Sequence, residues 1–166
     1  LNIKNKNPMS YISKVYDFHN TFNVPVLDKP EIPSEDRCQL RVNLIQEELN
    51  ELSEAIKNKD LVEIADALCD LQYVLSGSIL EFGLQNKFEE LFDEVQRSNM
   101  SKACETMQEA IETVSHYKKT QGYESVYKKV GDKFVVYRLS DNKVLKSVKY
   151  SPTDLKKIIE NESQEV

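Results

Sequence analysis

The chain of 166 residues has no tryptophan, four glycines, two histidines and three cysteines. So few glycines leave little of the turn chemistry that a β-sandwich or propeller needs, and favour a helix-rich build. Cys38, Cys69 and Cys104 are odd in number and scattered, with no C-x-x-C pair, so neither a disulfide framework nor a zinc site is indicated. No apolar run reaches the roughly 18 to 20 residues that span a bilayer, so no membrane partner is expected. Residues 1–8 lack an apolar signal-peptide core and Met9-Ser10 reads as a natural beginning; a cytoplasmic location is the resulting expectation, and the first eight residues are set aside from fold reasoning. Positive charge is also short. Against 28 Asp and Glu there are 22 Lys and Arg, a net charge of −6, which argues against nucleic acid as a partner because such binding rests on clustered cations. P-loop, dinucleotide fingerprint and nucleophilic triad are all missing.

What is present is helical periodicity, at a length that suits one domain over 9–166. A first helix over 11–22 carries Ile12, Val15, Phe18 and Phe22, with Val15 and Phe18 inward. Pro25, Pro30 and Pro33 then impose an extended connector. Ser34 caps a long amphipathic helix running to about Asn58, with Leu40, Leu44, Ile45, Leu49, Leu52 and Ile56 as its apolar line. Asp60 caps a third, marked by Leu61, Ile64, Leu68, Leu71, Val74 and Leu75 and stopped by Gly83. So short a link makes these two an antiparallel hairpin. A fourth helix over 87–97 turns Phe88, Leu91, Phe92 and Val95 inward, 98–101 reads as a break, and helix resumes near Lys102 to about Lys119 with Ala103, Met107, Ala110, Ile111 and Val114 inside. Beyond Gly122, alternating β-branched and aromatic residues over 125–130, 134–139 and 143–150, with turn signals at Gly131-Asp132 and Asp141-Asn142, predict an antiparallel meander. A closing helix over 153–159, capped by Ser151, precedes a polar tail that frays. The fold class is therefore mostly α: a helical core over 10–120, then a small β meander and closing helix over 123–160.

Two stripes of carboxylates stand out. Glu47, Glu48 and Glu51 crowd one turn of the second helix, and Glu63, Asp66 and Asp70 line one side of the third. Glu48, Glu51, Asp66 and Asp70 have no Lys or Arg three or four residues away, unlike a salt-bridged surface, and only Glu63 has one, Lys59. Asp66 and Asp70 sit in an otherwise apolar stretch where an unpaired charge is costly. Like charges brought together by the hairpin need an offset. A hard cation such as magnesium supplies it, taking carboxylate oxygens while keeping room for phosphate.

The sequence E-E-x-x-E at Glu47, Glu48 and Glu51, followed by E-x-x-D at Glu63 and Asp66, resembles the signature of the all-α NTP pyrophosphohydrolase superfamily. Phe18-His19, the proline-rich connector, Arg41, the run from Asp70 to Val74 and the run from Glu94 to Lys102 resemble its MazG-like, phosphoribosyl-ATP pyrophosphohydrolase-like branch. The resemblance covers about 9–102, with a weaker echo at 150–155. It implies an all-α bundle that cleaves a nucleoside triphosphate between its α and β phosphates, giving monophosphate and pyrophosphate, in the manner of nucleotide-pool housecleaning. It implies magnesium, with manganese as a substitute, held by Glu48, Glu51, Glu63 and Asp66, with Asp70 joining or replacing one. Catalysis falls to Glu48 and Glu47, the latter orienting the attacking water. Homodimeric or homotetrameric assembly is implied likewise.

Asn99 and Lys102, beside the expected helix start, suit a phosphate contact; Tyr73 suits a base and His19 a pocket wall, while Arg97 reads as a salt-bridge residue. The segment after Lys102 departs from the compact pattern of the branch. Two other readings stand beside the main one: a non-catalytic helical module that binds metal or nucleotide, and a phosphoribosyl-ATP pyrophosphohydrolase.

Overall fold

The computed structural model describes residues 10–161, so the readings of 1–9 and of the polar end beyond 161 lie outside it. The chain divides into two compact units, one ending at Glu89 and the other beginning at Glu90.

The first unit holds α1 (Tyr11–Phe22), α2 (Glu35–Asn58) and α3 (Leu61–Glu81). Ser10 caps α1 by accepting the Ser13 N–H at 3.3 Å. Val15 is buried as expected, but Phe18 is 39% exposed and His19, one turn on from Val15, takes the inner place at 2%. Phe18 turns aside to pack against Phe22 and Tyr73, with ring centroids 4.4 and 5.6 Å away.

The proline connector is strapped to the end of α3. Leu27 N–H donates to Leu80 O at 3.1 Å, Glu31 N–H to Phe82 O at 3.2 Å, and the Gln85 amide to Leu27 O at 2.8 Å. Gly83, at φ +66, ends α3 and lets the connector pass, since a Cβ there would lie 1.9 Å from Lys29 O.

Between α2 and α3, Lys59 takes a left-handed conformation and Asp60 accepts the N–H groups of Val62 and Glu63 at 3.0 and 3.2 Å. Asp60→Ala is expected to cost about 1 kcal/mol, the usual value of such a cap, read from the urea unfolding midpoint. The resulting antiparallel hairpin sets Arg41 of α2 against Gly77 and Glu81 of α3 and brings the charge of Asp70 to bear on Glu48, seven residues further along α2. The small pair Ala55 and Ala67 is buried near the turn. The apolar lines are only partly covered: Leu44, Ile45 and Leu52 of α2 and Ile64, Leu71 and Val74 of α3 are half-buried, whereas Leu40, Leu49, Ile56, Leu61, Leu68 and Leu75 are exposed. Two long helices packed on each other and on α1 carry more apolar surface than they can hide among themselves.

The second unit takes in most of α4 (Phe88–Met100), then α5 (Met107–Gln121), β1 (Ser125–Val130), β2 (Lys133–Arg138), β3 (Val144–Leu145) and α6 (Leu155–Glu160). α4 runs through the expected break at 98–101 as far as Met100, because Ser98 is buried with its hydroxyl donating to the Tyr150 oxygen at 3.1 Å instead of disturbing the helix. Leu91 is inward, but Phe92 is 62% exposed. Helix does not resume at Lys102. Cys104 instead exchanges two backbone hydrogen bonds with Phe134, at 2.7 and 2.9 Å, and Thr106 caps α5 by accepting the Glu109 N–H at 3.2 Å.

Of the expected inner face of α5, Ala110 is buried, while Met107 and Ile111 are exposed and Glu109 and Thr113 lie inside in their place. Both polar groups are satisfied: Glu109 accepts from the Ser147 hydroxyl and the Glu105 N–H, and Thr113 Oγ1 accepts the Val148 N–H at 3.1 Å. α5 packs on β1 and β2 around Cys104, Ala110, Val136 and Leu145, so it belongs with the meander and not with the preceding helices.

The sheet is antiparallel in the order β1-β2-β3, with Gly131 at φ +63 in the first turn. The third strand spans two residues, paired through Val136 with Leu145, where 143–150 was expected. α6 starts at Leu155 with Asp154 as its cap, later than expected, because the Ser151 backbone is held by the Ser101 hydroxyl through both its N–H and its carbonyl.

Candidate functional site

The interface between α2 and α3 contains two ionic layers, and they differ in whether charge is balanced. In the first, Glu81 of α3 is 1% exposed and receives Arg37 and Arg41 of α2: Arg37 Nε donates to Oε2 at 3.0 Å and Arg41 Nε to Oε1 at 2.8 Å, and each Arg adds its Nη2. Burial alone would raise the Glu81 carboxyl, but the hydrogen bonds and charges of the two guanidiniums outweigh it and hold the group below the usual glutamate range. Gly77 makes room for this pair, since a Cβ there would lie 2.7 Å from Arg41 Nη1 and 3.1 Å from His19 Nε2. His19 Nδ1 lies 3.0 Å from the Pro25 carbonyl. Burial pushes its imidazole below the usual value against that hydrogen bond, and Arg41 adds to the lowering.

Two turns along α2, about 10 Å at 1.5 Å per residue, the second layer has no paired cation among the described residues. Glu48 Oε2 is buried and accepts no hydrogen bond. Burial pushes its carboxyl above the usual range, and the charges of Glu51, Asp70, Glu47 and Asp66 push it further. The hairpin therefore brings together the acidic stripe of α2 with Asp66 and Asp70 of α3. Glu63 is not among the carboxylates acting most strongly on Glu48; it is exposed in the first turn of α3, where its N–H meets the Asp60 cap.

Among the described residues, no three His, Cys, Asp or Glu side chains already converge as a finished metal cage. The donor set nevertheless fits a hard cation: oxygens only, one of them buried without a partner, and four neighbouring carboxylates with no Lys or Arg paired to them.

The remaining expected site residues belong to both units. Tyr73 is partly exposed and, with Tyr11, Lys14, Val15, Leu68 and Gln72, lines an apolar cavity of about 340 Å³ between α1 and α3. His19 lies in the core and is not part of that cavity's wall. Asn99 and Lys102 belong to the second unit, and the helix-start argument for them fails: Asn99 is in the last turn of α4, and the Lys102 N–H is already given to Asn99 O at 3.2 Å. The Lys102 ammonium donates to Asn99 Oδ1 at 2.7 Å. Arg97 pairs with Glu94 as expected, at 2.6 Å, and together with the Asp154 N–H it holds the Glu94 carboxyl down to about 2. Arg37, Gly77 and Glu81 escaped the sequence reading. Glu81 alone left a signal there, an acid that ends the uncharged stretch 71–80 of α3.

A helical hairpin with an unbalanced carboxylate layer at its interface is the build of the MazG-like all-α NTP pyrophosphohydrolase superfamily. The family model for phosphoribosyl-ATP pyrophosphohydrolase matches residues 15–99, half of the chain, and the chain belongs to that family. An uncharacterized protein of Acanthamoeba polyphaga mimivirus is 32% identical over 155 residues; this is 89% of the present chain, which spans 60% of that relative's length. No helix among the described residues is long and apolar enough to cross a membrane.

Proposed function

We propose that the chain is a magnesium-dependent nucleoside triphosphate pyrophosphohydrolase, cleaving between the α and β phosphates to release nucleoside monophosphate and pyrophosphate, in a nucleotide-housecleaning role in the cytoplasm. The observation that carries this reading is the buried, unpartnered Glu48 oxygen faced by the charges of Glu51, Asp66 and Asp70. Those four side chains are the proposed holders of magnesium, or of manganese in its place, with Glu63 at the periphery. The bound ion would supply the positive charge that admits phosphate oxygens to an acidic site and offsets the charge developing on them. Glu47, exposed beside Glu48 on α2, would orient water and accept its proton. The apolar cavity at Tyr73 offers the base a surface on the same helix as Asp66 and Asp70.

A homodimer or larger assembly is part of the proposal. Val42, Leu49 and Ile56 of α2 and Leu61, Leu68 and Leu75 of α3 are exposed at seven-residue spacing, the pattern of a helix seam that lacks its partner. Light scattering is expected to give at least twice the chain mass; a monomer at working concentration would refute this part.

The test is pyrophosphate release from a panel of canonical and modified nucleoside triphosphates together with phosphoribosyl-ATP, with magnesium and with EDTA. Magnesium-dependent release with monophosphate as co-product is the expected result. Selective hydrolysis of phosphoribosyl-ATP would instead favour the reading that the family match itself suggests. No release from any compound would leave a non-catalytic binding module.

A further inference from the structure

We propose that the second unit carries its own metal-independent binding site for a polyphosphate anion, of the kind that a nucleoside triphosphate or inorganic tripolyphosphate presents. A cavity of about 450 Å³ there is walled by Lys102, Arg138, Lys143 and Lys146 together with Tyr117 and Tyr123, and no Asp or Glu lines it. In a chain of net charge −6 this is a local reversal of sign. It lies, apart from Lys102, well past the residues matched by the family, 15–99.

The cations are held in place largely without being neutralised. Arg138 is braced by Asp141, with Nε to Oδ1 at 2.8 Å and Nη2 to Oδ2 at 2.6 Å, and lies 4.7 Å from the Tyr123 ring centre. Tyr123 is in turn parallel to Tyr117, with centroids 6.1 Å apart. The Lys146 ammonium rests 4.2 Å from the Tyr150 ring centre, and Lys102 is tied to the neutral Asn99. Lys143 makes no ion pair among the described residues; its backbone N–H donates to Asp141 Oδ1 at 3.2 Å. Asp141 thus offsets one of four cations, leaving three around one cavity. A cleft lined by one sign focuses its field and gathers counter-ions. One phosphate would leave much of that charge unmatched, whereas a di- or triphosphate matches it, and the volume falls within the ~300–1,000 Å³ usual for small-ligand pockets. The carboxylate site behaves oppositely, because without metal it repels phosphate, so a chelator separates the two.

The experiment is calorimetric titration of the full chain with tripolyphosphate, and separately with a non-hydrolysable nucleoside triphosphate, in excess EDTA at low ionic strength. Saturable binding is expected, weakened by added salt, unchanged in Glu48→Gln, and weakened at least tenfold in the double variant Lys143→Glu, Lys146→Glu. Both lysines are exposed, and an unchanged melting temperature checks that the variant folds. No saturable binding in EDTA would overturn the proposal, as would binding indifferent to the charge reversal. So would binding of a short single-stranded RNA that tripolyphosphate fails to displace. Magnesium-dependent pyrophosphate release by the wild type is read separately, so failure here and failure of the proposed hydrolase remain distinct.

Discussion

Glu48→Gln is expected to lower magnesium-dependent pyrophosphate release by about a thousandfold while making the protein more stable in EDTA. The loss follows from removing an anionic oxygen at the centre of the proposed metal set, since such an ion contributes several kcal/mol to the transition state and each 1.36 kcal/mol is tenfold in rate. The gain follows from the same oxygen being buried, unpartnered and surrounded by like charge. A folded pKa above the unfolded value means that the ionised form destabilises the fold. The penalty is absent at pH below the ordinary glutamate value and fully present above the raised one. In EDTA the melting temperatures of variant and wild type should therefore separate as pH rises through that window. Added magnesium should stabilise the wild type and leave the variant nearly unmoved. Equal activity of the two proteins would defeat the catalytic assignment, and a variant less stable than wild type in EDTA would defeat the electrostatic one.

Glu81→Leu is expected to act in the opposite sense, costing about 3–5 kcal/mol of stability by leaving Arg37 and the buried Arg41 without their carboxylate. At roughly 2–4 °C per kcal/mol for a chain of this size, the melting temperature should fall by about 10 °C. The Glu81 carboxyl is held below its usual range, so its contribution is complete above the ordinary glutamate value and is lost as pH falls through the lowered one. The gap between wild type and variant should accordingly narrow below about pH 4. Pairing Glu81→Leu with Arg41→Leu should restore part of the loss, because an apolar pair leaves no buried charge behind. A gap that does not depend on pH would show that packing, not the ion pair, is what Glu81 supplies.

These two glutamates mark where one-dimensional reading succeeds and stops. Glu48 was legible because helical spacing places it beside Glu51, and the absence of nearby Lys and Arg along the helix exposed the imbalance. Glu81 was not, because its partners are 44 and 40 residues away on another helix. The same limit explains the misplaced face of α1: periodicity ranks Phe18 as apolar and His19 as polar, yet His19 has a carbonyl at Pro25 waiting for it. It also explains α5, where Glu109 and Thr113 displace Met107 and Ile111 from the core because Ser147 and Val148 arrive to pair with them.

Local chemistry determined what local chemistry controls. The hairpin, its Asp60 cap, the stop at Gly83, the turn at Gly131 and the two carboxylate stripes all follow from propensity and spacing within a few residues, where chain connectivity already fixes the neighbours. Tertiary structure decided which charges are balanced and which are not. It joined Arg37 and Arg41 to Glu81, left Glu48 alone among acids, and gathered Lys102, Arg138, Lys143 and Lys146 around one cavity. Charge balance is a sum over neighbours in space, and the sequence orders only neighbours along the chain.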